Sequence, residues 1–148
     1  MCLALGVGAC QFSTRPPGEA QKDDTALQAV AVSFYRALAK GDSPALDSIT
    51  FGAATALLAV GHSPPSLIAW RALGSIPERR TQAPGVRLVR TDIRPDGDFA
   101  VVRVVIAAQD PTSPSEFEAT DVLTVARRAG TWRIAHVVFG PWRLRTAP

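Results

Sequence analysis

With 148 residues, 47% of them hydrophobic and 20% charged, the chain can close one domain's core, and it is neither a disordered tail nor a pair of domains. No apolar run nears the ~20 residues of a membrane-spanning helix, and two cysteines with two histidines exclude a disulfide scaffold, a four-cysteine zinc site and a histidine-rich metal centre. The net charge of +3 arises from scattered arginines interleaved with acids such as Asp92, Asp98, Glu116 and Asp121, which describes a solvated basic surface rather than a nucleic-acid face.

Residues 1–10 are small and apolar and close on Val7-Gly8-Ala9-Cys10. The stretch resembles the lipobox of bacterial lipoproteins, where small side chains admit the backbone to a peptidase and the thiol takes a diacylglyceryl group. The resemblance implies lipidation at Cys10 and a cell-envelope address, with the chain held to the membrane by lipid rather than by a span. Without the lipid the expectation is a secreted or cytoplasmic protein. Residues 11–23 carry Ser13, Pro16, Pro17 and Gly18 and read as a flexible tether, leaving 24–148 as the folded domain.

The folded part opens with a helix. Leu27, Val30, Ala31, Phe34, Tyr35 and Leu38 fall on one stripe at helical spacing, and Gly41 follows to take the left-handed end position. Ser43-Pro44 restarts a short helix with Leu46 and Ile49 inward, and Asp42 caps or orients the turn between the two. Residues 51–61 suit a buried helix or a short strand. After the break at His62-Ser63-Pro64-Pro65, residues 66–73 read as a third short helix with Trp70 on its buried side. A Pro- and Gly-containing linker spans 75–85.

Beyond Gly85 the period falls from 3.6 to 2. A strand around 86–91 meets a turn at Pro95-Asp96-Gly97-Asp98, and residues 99–108 follow as a Val-rich strand buried on both faces. A polar loop precedes a long strand over 116–128. Ala129-Gly130 makes a tight turn into a last strand over 131–139, and Gly140-Pro141 bends the chain into a short continuation over 142–145. The order predicts an α+β fold, N-terminal helices packed on a curved antiparallel sheet.

Two motifs carry a further resemblance. Phe34-Tyr35-Arg36-Ala37-Leu38-Ala39-Lys40-Gly41-Asp42 looks like the first-helix signature of the NTF2-like superfamily, which includes SnoaL-like domains and ketosteroid isomerases. Gly130-Thr131-Trp132-Arg133-Ile134-Ala135-His136 looks like its closing hairpin. The resemblance implies a cone: a strongly curved antiparallel sheet wrapped on helices, with a cavity suited to small apolar ligands. It also implies a test for isomerase chemistry. Aligned on Gly41-Asp42, Phe34 falls where the isomerases keep a tyrosine, and Tyr35, turned ~100° away, is expected to face elsewhere. No Asp or Glu lies between Asp47 and Glu78, where the proton-moving acid belongs.

These readings favour a non-catalytic lipoprotein that binds a small apolar molecule or a protein partner in or around its cone, without a cofactor or a metal; a separate reading is a purely structural or interaction module that forms a homodimer through its sheet. Phe34, Tyr35, Trp70, Arg103, Trp132 and His136 are the candidate ligand contacts. Trp142, past the bend, is a candidate partner surface. The alternative is a SnoaL-like isomerase, cyclase or dehydratase in which His136, on the face of Trp132 and Ile134 by strand alternation, acts as general base with Asp121 beside it. Arg127 and Arg128 flank the last hairpin turn and are expected in solvent.

Overall fold

The computed structural model describes residues 17–58, 66–69, 86–109, 112 and 114–145. Helix α1 (Pro17–Lys40) leads, followed by α2 (Ser43–Ile49) and seven strands: β1 (Thr50–Leu58), β2 (Ser66–Ala69), β3 (Arg87–Asp96), β4 (Phe99–Gln109), β5 (Glu116–Arg128), β6 (Thr131–Phe139) and β7 (Arg143–Leu144). Helix α1 begins earlier than the sequence suggests. Residues 17–23, read as tether, form its first turns, since a proline is favoured at the start of a helix. Leu27, Ala31, Phe34 and Leu38 are its buried stripe. The helix stops where the sequence says it should. Gly41 takes φ 64°, its N–H reaches the Leu38 carbonyl, and the Asp42 N–H reaches Ala37, the paired bonds of a Schellman end. Asp42 then caps α2, its Oδ1 accepting from the Ala45 N–H at 3.0 Å.

The strands form one sheet in the order β2-β1-β6-β5-β4-β3, with β7 beside β5 past the end of β6. All pairs are antiparallel except β1 with β6. The ambiguous stretch after α2 resolves as β1. The third helix expected over 66–73 is not formed over Ser66–Ala69, which pairs with β1 as β2; a run this short has too few turns for its period to separate helix from strand. Trp70 lies outside the described residues. Strand β4 is buried on both faces only over Val104–Ala108; its first half alternates, with Phe99, Val101 and Arg103 exposed.

Curvature has a local cause. The β1–β6, β3–β4 and β5–β6 ladders each contain a register shift, one extra residue in the latter two and three in the first, and extra residues on one strand bend the pair and increase its twist. The helices pack on the inner face. Leu27, Phe34, Val102, Val104, Ile106, Leu123, Val125, Ile134, Val137 and Phe139 form the core between them.

One polar cluster ties the start of α1 to the sheet. Asp23, 8% exposed, accepts from Arg127 Nη1 at 3.1 Å and from Trp132 Nε1 at 3.2 Å. Arg127 Nε also donates to Asp98 Oδ1 at 2.8 Å, and its guanidinium lies 4.9 Å from the Trp132 ring centroid. So Arg127 is not the solvated side chain expected from its place beside a turn; Arg128 is. Side-chain exposures of 25% for Arg127 and 11% for Asp23 put the pair between a surface salt bridge and a buried one. Arg127→Ala is therefore expected to cost about 2 kcal/mol, measured by urea unfolding, and Arg127→Lys to recover only part of it because lysine lacks the fork. An unchanged midpoint for Arg127→Ala would contradict the latch.

Candidate functional site

The inner face holds an unusual residue for a core. Asp121 sits mid-strand in β5, its parity shared with Ala119, Leu123 and Val125, and it is 0% exposed. A carboxyl group so placed must be hydrogen-bonded to be tolerated. Tyr35 Oη donates to Asp121 Oδ2 at 2.8 Å, and the Gly140 N–H donates to Oδ1 at 3.0 Å. The phenol comes from α1, and the backbone donor from the residue after β6. Helix, central strand and C-terminal bend thus meet at one carboxyl group.

Tyr35 therefore does not face elsewhere. A turn of ~100° from Phe34 moves it off the centre of the buried stripe but not to the opposite side. From that half-buried rim the long side chain reaches inward. Phe34 points straight into the core, edge-on to the Tyr35 ring at 5.1 Å between centroids and stacked on Phe139 at 6.4 Å. Gly140 owes its identity to close approach: a Cβ there would lie 2.2 Å from the Thr120 carbonyl oxygen.

His136 departs from the expectation in the opposite sense. Simple alternation would keep it beside Trp132 and Ile134 on the inner face. The register shift opposite Thr124 and Val125 inserts a residue after Ile134, so Val137 and Phe139 point inward and His136 pairs with Thr124 on the outer face. There its Nδ1 meets Thr55 Oγ1 at 2.7 Å. Asp121 and His136 occupy opposite faces, and the pairing that the enzyme alternative requires is not made.

The remaining candidates divide as follows. Phe34 and Tyr35 stand together beside Asp121. Trp132 is buried in the Asp23 latch, six residues along β5 from Asp121 by its pairing with Arg127, about 20 Å at the strand rise. Arg103 is exposed on the outer face, where it lines a cleft. Trp142 is half-buried and packs against the core rather than standing free. Cys10 and Trp70 lie outside the described residues. Sequence reading missed the joint role of Tyr35, Asp121 and Gly140. The available signal was a single acid at an inward position of an otherwise apolar strand.

At the far end of β5 the Arg87 guanidinium, and after it that of Arg145, hold the half-buried Glu116 carboxyl below the usual carboxylate range, each at 2.6 Å. With the Arg145 N–H on the Glu116 carbonyl at 2.8 Å, they fasten the C-terminal strand to β5. Among the described residues, no group of three His, Cys, Asp or Glu side chains could hold a metal, and no helix is long and apolar enough to cross a membrane.

Comparison with known proteins adds a family and a fold. A family model described as a SnoaL-like domain matches residues 27–141. An NTF2-like protein of unknown function from Silicibacter pomeroyi is 23% identical, with 85% of this chain and 98% of that one covered at a TM-score of 0.61. A provisionally assigned ketosteroid isomerase from Shewanella frigidimarina is 16% identical, with 79% and 96% covered at 0.62. An NTF2-like protein with a cystatin-like fold from Novosphingobium aromaticivorans is 16% identical, with 82% of each chain covered at 0.61. At these identities the likeness is one of fold. A search of curated proteins finds no match.

Proposed function

Because this chain belongs to the SnoaL-like domain family, of the NTF2-like superfamily, we propose that it uses the cone to bind rather than to transform. Its occupant is a small apolar molecule, or an apolar segment of a protein partner, and its anchor is a lipid on Cys10 at the cell envelope. One observation carries the binding reading. The buried Asp121 carboxyl group is engaged by the chain's own donors, Tyr35 Oη and the Gly140 N–H. An acid whose oxygens are held this way secures the fold and is poorly placed to move a substrate proton. Half-buried Tyr35 and Trp142, which pack on the core from its margin, supply aromatic surface for an apolar guest.

The test is saturable binding of the apolar dye N-phenylnaphthylamine to the full chain, followed by fluorescence. Binding is expected to survive Tyr35→Phe, which keeps the ring, and to weaken about fivefold or more in Tyr35→Ser, which loses an apolar contact. No saturable enhancement would sink the binding reading. Turnover of a substrate that His136→Gln abolished would favour the enzyme instead. The anchor is tested separately by palmitate labelling, which Cys10→Ala should abolish.

A further inference from the structure

The outer face of the sheet, opposite the helices, carries a concavity. Arg90, Asp92, Arg103, Val105 and Thr120 line a cleft of about 360 Å³. The register explains why they converge. Arg90, Val105 and Thr120 form one cross-strand row over β3, β4 and β5, and Asp92 faces Arg103 in the next row of the same face. Val105 is 8% exposed and makes an apolar floor, and Thr120 offers a hydroxyl.

Arg87, Arg94, Arg127 and Arg145 each pair with a carboxylate. Arg90 and Arg103 make no ion pair or side-chain hydrogen bond with any described residue. Arg36, Arg128, Arg133 and Arg143 also form no ion pair with a described residue, so what distinguishes this cleft is that two such arginines stand side by side. Arg90 and Arg103 are diagonal neighbours on adjacent strands, so their charges repel unless an anion lies between them. Asp92 is the acid within reach, and its Oδ2 faces Arg94 at 3.4 Å. With Asp92 already paired to Arg94, the two guanidiniums leave the cleft positive, and the carboxylate beside them disfavours a multiply charged anion over a monoanion.

We propose that this cleft binds a small organic monocarboxylate, its carboxylate bridging Arg90 and Arg103 with the Thr120 hydroxyl in reach, and its apolar body on Val105. Guanidiniums suit this role because their planar fork matches a carboxylate. The site is separate from the cone, since its residues point away from α1 and from Asp121.

Calorimetric titration of the full chain with 2-naphthoate at low salt tests it, with 2-naphthamide as the neutral analogue and inorganic phosphate as the bare anion. Saturable naphthoate binding is expected, weakened severalfold by Arg90→Gln or Arg103→Gln and about tenfold or more by both. Naphthamide and phosphate should each bind about tenfold more weakly than naphthoate. Both arginines are exposed, so the variants should unfold at the parent's temperature. Tyr35→Ser, which impairs the cone, should leave naphthoate binding unchanged, so the two sites fail independently. Absence of saturable binding, equal affinity for naphthamide, phosphate binding as tight as naphthoate, parent-like affinity in the double variant, or loss in a Tyr35→Ser protein that still unfolds cooperatively would each overturn the proposal.

Discussion

Gly140→Ala should destabilise the domain by about 3 kcal/mol or more, by the overpacking and strain that produce the largest single-residue effects. The added Cβ would meet the Thr120 carbonyl oxygen at 2.2 Å, against a backbone atom that no rotamer change can move. Relief requires the chain after β6 to shift away from β5, and that movement carries the Gly140 N–H off Asp121 Oδ1. The damage should reach the β5–β7 pairing, whose bonds lie just beyond the bend. Urea unfolding gives the magnitude, and amide exchange across residues 117–123 and 143–145 gives the locality. A parent-like midpoint would show that the close approach is not obligatory. Gly52, with nothing within 4 Å of a built Cβ, is the control that should tolerate alanine much better.

The second large effect is expected at Asp121. Asp121→Ala removes the acceptor for both Tyr35 Oη and the Gly140 N–H and leaves a gap in a fully buried position. The expected cost is about 3–4 kcal/mol, from unpaired buried donors together with a cavity. Asp121→Asn should cost much less, about 1 kcal/mol. Its carbonyl oxygen can accept from Gly140 and its amide can donate to the phenol, reversing one hydrogen bond and losing neither. Tyr35→Phe alone should cost about 1–2 kcal/mol. In the Asp121→Ala background its effect should be much smaller, since the bond is already gone. Equal losses for Ala and Asn would show that the hydrogen bonds are not what Asp121 supplies. The same pair of variants bears on function: if Asp121 secures the fold, dye binding should follow stability across the series.

The long final hairpin was legible because its determinants are local. The strands over 116–128 and 131–139 form as read, and Ala129-Gly130 supplies the two positive φ values, 50° and 79°, of a tight hairpin turn. Helix α1 was legible for the same reason, through its 3.6-residue stripe and its glycine end. The site was harder to read. Tyr35 was placed by angle alone, and a phenol reaches farther than an angle on a wheel conveys. Arg127 looked solvated because it flanks a turn, but its partners are 104 and 29 residues away, beyond any local pattern.

The amino-acid order by itself determined the α+β class and, to within a residue, the bounds of β4, β5 and β6, because periodicity, capping and turn chemistry act over a few residues. Tertiary structure decided which side of the sheet each candidate occupies. A single inserted residue in the β5–β6 ladder sends His136 outward, while Asp121, its proposed partner, stays inside with Tyr35 and Gly140. Alternation is a rule about one strand, whereas a bulge is a relation between two, so the placement is fixed only when the strands pair.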